Sequence, residues 1–177
     1  MKQFLVVVDM QNDFITDALG TVEAREILGK AVEKIRAFPG DIFVTLDTHG
    51  PDYLNTAEGR KLPVTHCVRG TKGWELHPAV ADALAGKPVT TVEKPTFGST
   101  ALPGMLESAA DGEDFSVTMI GLCTDICVVS NALLLKAFFP EKRIAVDSAC
   151  CAGVTPELHR AALATMRSCQ IDVEGDG

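Results

Sequence analysis

Short apolar, β-branched runs alternate along this chain with segments of helical spacing, and that alternation constrains the fold more than any other feature. Residues 4–8 (Phe-Leu-Val-Val-Val) end abruptly at Asp9. Comparable runs occupy residues 42–46, 88–92, 115–120 and 143–146, and residues 171–173 form a sixth. Continuous rather than alternating apolar character is the mark of a strand buried on both faces, as in a parallel sheet. Between the runs, residues 21–38 place Val22, Ile27, Leu28, Ala31, Val32 and Ile35 near helical spacing, with Thr21 as N-cap and Pro39-Gly40 as the stop. Residues 77–84 and about 125–138 read as further helices. Thr155-Pro156-Glu157 opens a last one, with proline at the first helical position. The expected fold is α/β: a three-layer α/β/α arrangement around a mostly parallel sheet of about six strands. With 177 residues and no repeat or linker, residues 1–177 are expected to form a single domain.

Charge and cysteine content narrow the function. The formal net charge is −8, which argues against nucleic acid and against an anionic membrane surface. No apolar run approaches the roughly 20 residues needed to cross a bilayer. With no secretory signal in view either, a cytoplasmic protein is expected. Six cysteines (67, 123, 127, 150, 151 and 169) are expected to be reduced thiols, mostly packed as small apolar groups.

Sites in open parallel sheets form beyond the carboxyl ends of the strands. The residues at those ends here are Asp9, then Asp47 and His49, then Glu93 and Lys94, then Cys123, Thr124, Asp125 and Cys127. An acid, a base and a thiol thus meet at one sheet edge. Cys127 is the nucleophile candidate, since a helix start and a nearby ammonium both lower a thiol pKa. Asp9 is placed to take the thiol proton, and backbone N–H groups at the helix start to hold an oxyanion. Taken singly, each reads as well or better as something plainer: a buried thiol, a capping acid, a solvated lysine.

The second constellation lies in the long connection of residues 47–75. Asp47 and His49 alternate after a strand end, and Glu58 and His66 follow. Oxygen and imidazole donors suit zinc, iron or manganese. Asp52 and Asn55 compete with Glu58 as the fourth ligand, and on spacing alone a set of polar residues in a hydrated loop is the better reading. His77 is expected at a helix start, His159 on the outer face of the last helix, and Trp74 in packing; none is assigned to chemistry.

These motifs resemble the isochorismatase-like cysteine hydrolase superfamily. Residues 8–14 (Val-Asp-Met-Gln-Asn-Asp-Phe) resemble its opening strand and acid. Lys94 with Phe97 and Ser99 resembles its lysine loop, and residues 121–128 (Gly-Leu-Cys-Thr-Asp-Ile-Cys-Val) its nucleophile segment. Asp147, Cys150 and residues 159–163 resemble its closing pattern. The resemblance implies a catalytic trio of Asp9, Lys94 and Cys127. It also implies a cis peptide between Leu122 and Cys123, and an oxyanion hole from the Cys123 and Cys127 N–H groups. The nicotinamidase branch is most similar. It implies a divalent metal (zinc, iron or manganese) on Asp47, His49, His66 and Glu58, holding the pyridine nitrogen of a small-molecule amide. Phe14 and Phe97 would flank the ring, and a homo-oligomer is expected.

The implied activity is hydrolysis of nicotinamide to nicotinate and ammonia through a cysteine thioester. Three alternatives stand beside it: a metal-free amidase for a carbamoyl or ureido compound, a vinyl-ether hydrolase of the isochorismatase type, and a non-catalytic oligomeric scaffold. The short Lys-Pro-Thr-Phe-Gly-Ser loop departs from longer nicotinamidase loops and bears on the substrate rather than on the chemistry.

Overall fold

The computed structural model describes residues 1–175. Six strands form one sheet: β1 (Lys2–Val8), β2 (Asp41–Asp47), β3 (Val89–Lys94), β4 (Phe115–Leu122), β5 (Arg143–Ala152) and β6 (Asp172–Glu174). Their spatial order is β3-β2-β1-β4-β5-β6, and every pairing is parallel. The expected "mostly parallel" sheet is therefore wholly parallel among the described residues. Each return to the sheet passes through a helix-bearing crossover, which is what parallel pairing demands.

The helices are α1 (Asn12–Ile15), α2 (Val22–Ala37), α3 (Ala57–Lys61), α4 (Pro78–Leu84), α5 (Leu102–Ala110), α6 (Val129–Phe138) and α7 (Pro156–Ser168). Strand β1 shows why both sheet faces need cover. Phe4, Val6 and Val8 enter one core with residues of α5, α6 and α7, whereas Leu5 and Val7 enter the other with residues of α2 and α4. Successive strand side chains point to opposite faces, so an unbroken apolar run supplies two cores at once. The expected caps are made: Thr21 and Thr155 accept from Ala24 and Leu158, and His77 caps α4 through its ring.

Three elements differ from expectation. Helix α5 falls in a stretch to which no element was assigned, because Pro103 and Gly104 mask its apolar positions; Pro103 in fact sits in the first turn, where proline is tolerated. The long connection is not structureless but holds a 3-10 turn (Tyr53–Asn55) and α3, whose cap Thr56 accepts from Gly59. The helix expected from about residue 125 begins as a π turn (Thr124–Val128) before α6, and such turns cluster at functional sites.

The sheet order reverses between β1 and β4, so the C-terminal ends of these two strands bound the crevice where α/β ligands bind. Val8 pairs with Gly121 there. A Cβ on Gly121 would fall on the Val8 carbonyl oxygen, and its φ of 118° lies where side chains are strained. Glycine is therefore required for the two strand ends to lie this close.

Candidate active site

Asp9 leaves β1 with a φ of 49°, a strained value for a side-chain-bearing residue. Its N–H donates to Thr45 of β2, and the Thr45 hydroxyl donates back to Asp9 Oδ1 at 2.6 Å. Lys94, the last residue of β3, is 1% exposed. Its Nζ lies 2.6 Å from Asp9 Oδ2, 3.5 Å from Asp47 Oδ1 and 3.5 Å from Cys127 Sγ, and donates to the Thr96 carbonyl at 3.1 Å. Cys127 sits in the π turn, 5% exposed. Three residues from three separate elements therefore meet around one buried ammonium.

Electrostatics revise the expected role of the thiol. Burial pushes Cys127 well above the ordinary thiol range, Asp9 pushes it further, and Lys94 only partly offsets them. Asp9 is itself raised, by burial first and by Asp47, against the pull of Lys94. The Lys94 pKa rises because Asp9, Cys127 and Asp47 outweigh its burial. Burial therefore works against the lowered thiol pKa expected from the sequence, while Asp9 and Lys94 both stand beside the sulfur.

The second cluster is contiguous with the first. One carboxylate, Asp47, turns Oδ1 toward Lys94 and Oδ2 toward His49 Nε2 (2.9 Å) and His66 Nε2 (3.5 Å). Glu58 Oε1 stands 3.7 Å from His49 and 3.8 Å from His66. Asp52 and Asn55 are exposed while Glu58 turns inward, so α3 selects among the three competitors. One donor atom from each of Asp47, His49, Glu58 and His66 falls within 4.8 Å of the others. His66 Nδ1 donates to the Val64 carbonyl at 2.8 Å, which turns Nε2 toward the cluster. Burial would raise Asp47, yet hydrogen bonds from His49 and His66 and the charge of Lys94 hold it well below the carboxylate range. Burial raises Glu58. Two imidazoles and two carboxylates at this spacing fit a divalent ion with nitrogen and oxygen ligands.

The motif after Asp9 earns its place by bonding. Gln11 donates to the Asp47 and Trp74 carbonyls and accepts from the Asp47 N–H; Asn12 donates to the Lys72 carbonyl; and Asp13 accepts from the Cys67 N–H. Together they fasten the long connection to the sheet end. Trp74 is half-buried and donates to the Thr48 hydroxyl, a packing role as expected. His159 is not on an outer face: it is half-buried, with Nδ1 2.8 Å from the Thr124 hydroxyl, because α7 packs against the π turn. The Leu122–Cys123 peptide is cis.

Both clusters open on one cavity of about 210 Å³. Phe14, Phe97, Cys123, Cys127, Asp47, Glu58 and His66 line it, as the sequence suggested, and Leu19, Leu62, Ile126 and Val154 complete an apolar wall that it did not. Those four carry no chemistry, so periodicity could not separate them from core. Thr45 was legible in principle, as a lone polar residue inside an apolar strand.

A family model described as the isochorismatase domain matches residues 3–174. A nicotinamidase/pyrazinamidase of Mycobacterium tuberculosis is 28% identical over 183 residues, covering 96% of each chain. The pyrazinamidase of Pyrococcus horikoshii, solved in complex with zinc, superimposes with a TM-score of 0.78 at 26% identity, over 98% of each chain. The N-carbamoylsarcosine amidase of Thermoplasma acidophilum superimposes with a TM-score of 0.76 at 30% identity, over 100% of this chain and 98% of that one.

Proposed function

This chain belongs to the isochorismatase domain family and is a hydrolase of amide carbon–nitrogen bonds, and we propose that it cleaves nicotinamide to nicotinate and ammonia through a thioester on Cys127. The observation that carries the reading is the position of Lys94. Its ammonium joins Asp9, Cys127 and Asp47, so the nucleophile and the metal-type cluster share one cavity.

The proposed chemistry follows from the charges. Asp9 takes the Cys127 thiol proton as the sulfur attacks the carboxamide carbon, so no standing thiolate is needed. The Cys123 and Cys127 N–H groups are assigned to the oxyanion. Asp9 returns the proton to the departing nitrogen, ammonia leaves, and a thioester remains. Asp9 then deprotonates a water that hydrolyses the thioester, releasing the carboxylate and the thiol. Lys94 keeps a fixed positive charge beside Asp9 and the sulfur throughout. Phe14 and Phe97 wall the ring. Asp47, His49, Glu58 and His66 would hold a divalent ion, which would supply Lewis-acid chemistry toward the ring nitrogen when bound.

A carbamoyl or ureido acid is the second reading, favoured by the likeness to the Thermoplasma amidase. The cavity lining includes no Arg or Lys to meet a substrate carboxylate. All six thiols are free, which suits a reducing compartment such as the cytoplasm. The test is ammonia release from nicotinamide by the parent protein and by Cys127→Ala. Release by the parent alone supports the reading. Undiminished release by the variant contradicts it, because the amide would then be cleaved without the thiol. If the parent is inactive while Cys127 still alkylates, nicotinamide is wrong and carbamoyl compounds come next.

A further inference from the structure

Asn131 of α6 is 1% exposed, and both of its amide hydrogens and its oxygen are engaged. Oδ1 accepts from the Ser99 N–H at 2.9 Å. Nδ2 donates to the Phe97 carbonyl at 3.0 Å and to the Cys127 carbonyl at 2.8 Å. A buried amide is costly unless it is bonded in this way, and an apolar residue would fill the same space without that demand. Here the bonds run between two parts of the site. One is the carbonyl of the nucleophile itself. The other is the loop of residues 95–99, which carries the Phe97 ring to the cavity and the Thr96 carbonyl to Lys94 Nζ at 3.1 Å.

We propose that Asn131 is a positioning residue that locks the 95–99 loop to the nucleophile turn and so sets Lys94 and Phe97 against Cys127. The contacts close a ring: the Cys127 carbonyl, Asn131, the loop backbone, Lys94, and the Cys127 sulfur at 3.5 Å. A second observation agrees. A Cβ on Gly98 would come within 2.6 Å of Leu134 Cδ1 and 3.5 Å of Ser130 Cβ, so the loop lies pressed onto the same helix. Ser99 is buried, but Pro95, Thr96 and Phe97 face solvent, with Phe97 41% exposed. A wall built on such a loop needs a fastening, because a displacement of about 1 Å costs on the order of 100-fold in rate.

The kinetic part of the test rests on the amide-hydrolase reading; the labelling part does not. Asn131→Ala and the near-isosteric Asn131→Asp, which keeps the acceptor and loses both donors, are compared with the parent. The readouts are ammonia release and Cys127 labelling by iodoacetamide at mildly alkaline pH. Both variants are expected to lose about 100-fold in kcat/KM, with KM raised through Phe97 and kcat lowered through Lys94. Labelling is expected to slow several-fold as the ammonium drifts from the sulfur. A fall in thermal midpoint with KM, kcat and labelling per folded molecule unchanged in either variant overturns the inference. If the parent releases no ammonia but labelling still slows in the variants, the substrate reading fails and the role of Asn131 stands.

Discussion

The two halves of this site share a carboxylate and differ in nearly everything else. Around Lys94 the partners stand on strand ends and a helix turn, are almost wholly buried, and include their own cation. Around His49 and His66 they stand mostly on a crossover connection, Glu58 is less buried, and the chain's ammonium at Lys94 meets the group only at the far oxygen of Asp47. The strand-borne half is electrostatically complete. The loop-borne half gathers two carboxylates and two imidazole nitrogens in a group that could hold an ion. A rigid sheet edge can hold a strained, dry acid such as Asp9, whereas a loop can pre-form a ligand set and leave the charge to be supplied.

The contrast can be broken most forcefully at Lys94. Lys94→Met leaves Asp9 and Asp47 buried without their cation, and stability should fall by about 3–5 kcal/mol in urea denaturation with activity lost. A variant that stays fully stable would mean that the strand-borne half does not depend on its ammonium. Metal removal by a chelator, or His66→Ala, should lower ammonia release about 10–100-fold while Cys127 labelling changes little. Equal loss of both would mean that the halves are not separable. Gln11→Ala orphans the Asp47 N–H and two carbonyls at the seam, and a loss of about 1–3 kcal/mol is expected by urea denaturation.

The smallest effect is a pH dependence behind the nucleophile turn. Burial holds the folded His159 imidazole below its usual 6.5. The unfolded chain therefore binds a proton that the folded one resists. The contribution of His159 is complete above pH 6.5 and is lost as pH falls through that value toward the folded pKa. Thermal midpoints should drop across that window, and less so in His159→Asn; an identical drop in the variant would assign the dependence to other groups.

Much of this was legible before any coordinates. The β-branched runs ending in Asp9, Asp47 and Lys94 specify both a parallel sheet and an edge where polar residues gather, because buried strands leave chemistry only at their ends. The nucleophile turn could be read for the same reason. What escaped the sequence depended on tertiary context. Helix α5 carries proline and glycine in its first turn, which mask its apolar positions. His159 lies on a face that only the packing of α7 against the π turn buries. The Cys127 thiol is raised rather than lowered because its desolvation is a property of the assembled core. The segment Val129-Ser130-Asn131-Ala132 stands out in the sequence as a departure from the nicotinamidase branch, but the role of Asn131 appears only once the loop lies beside it.

The most direct measurement is rapid-quench intact mass of the protein during turnover of nicotinamide, with peptide mapping of any adduct. The account predicts a nicotinoyl thioester on Cys127, absent in Cys127→Ala, which also releases no ammonia. An adduct on another residue, or undiminished turnover by Cys127→Ala, would contradict it.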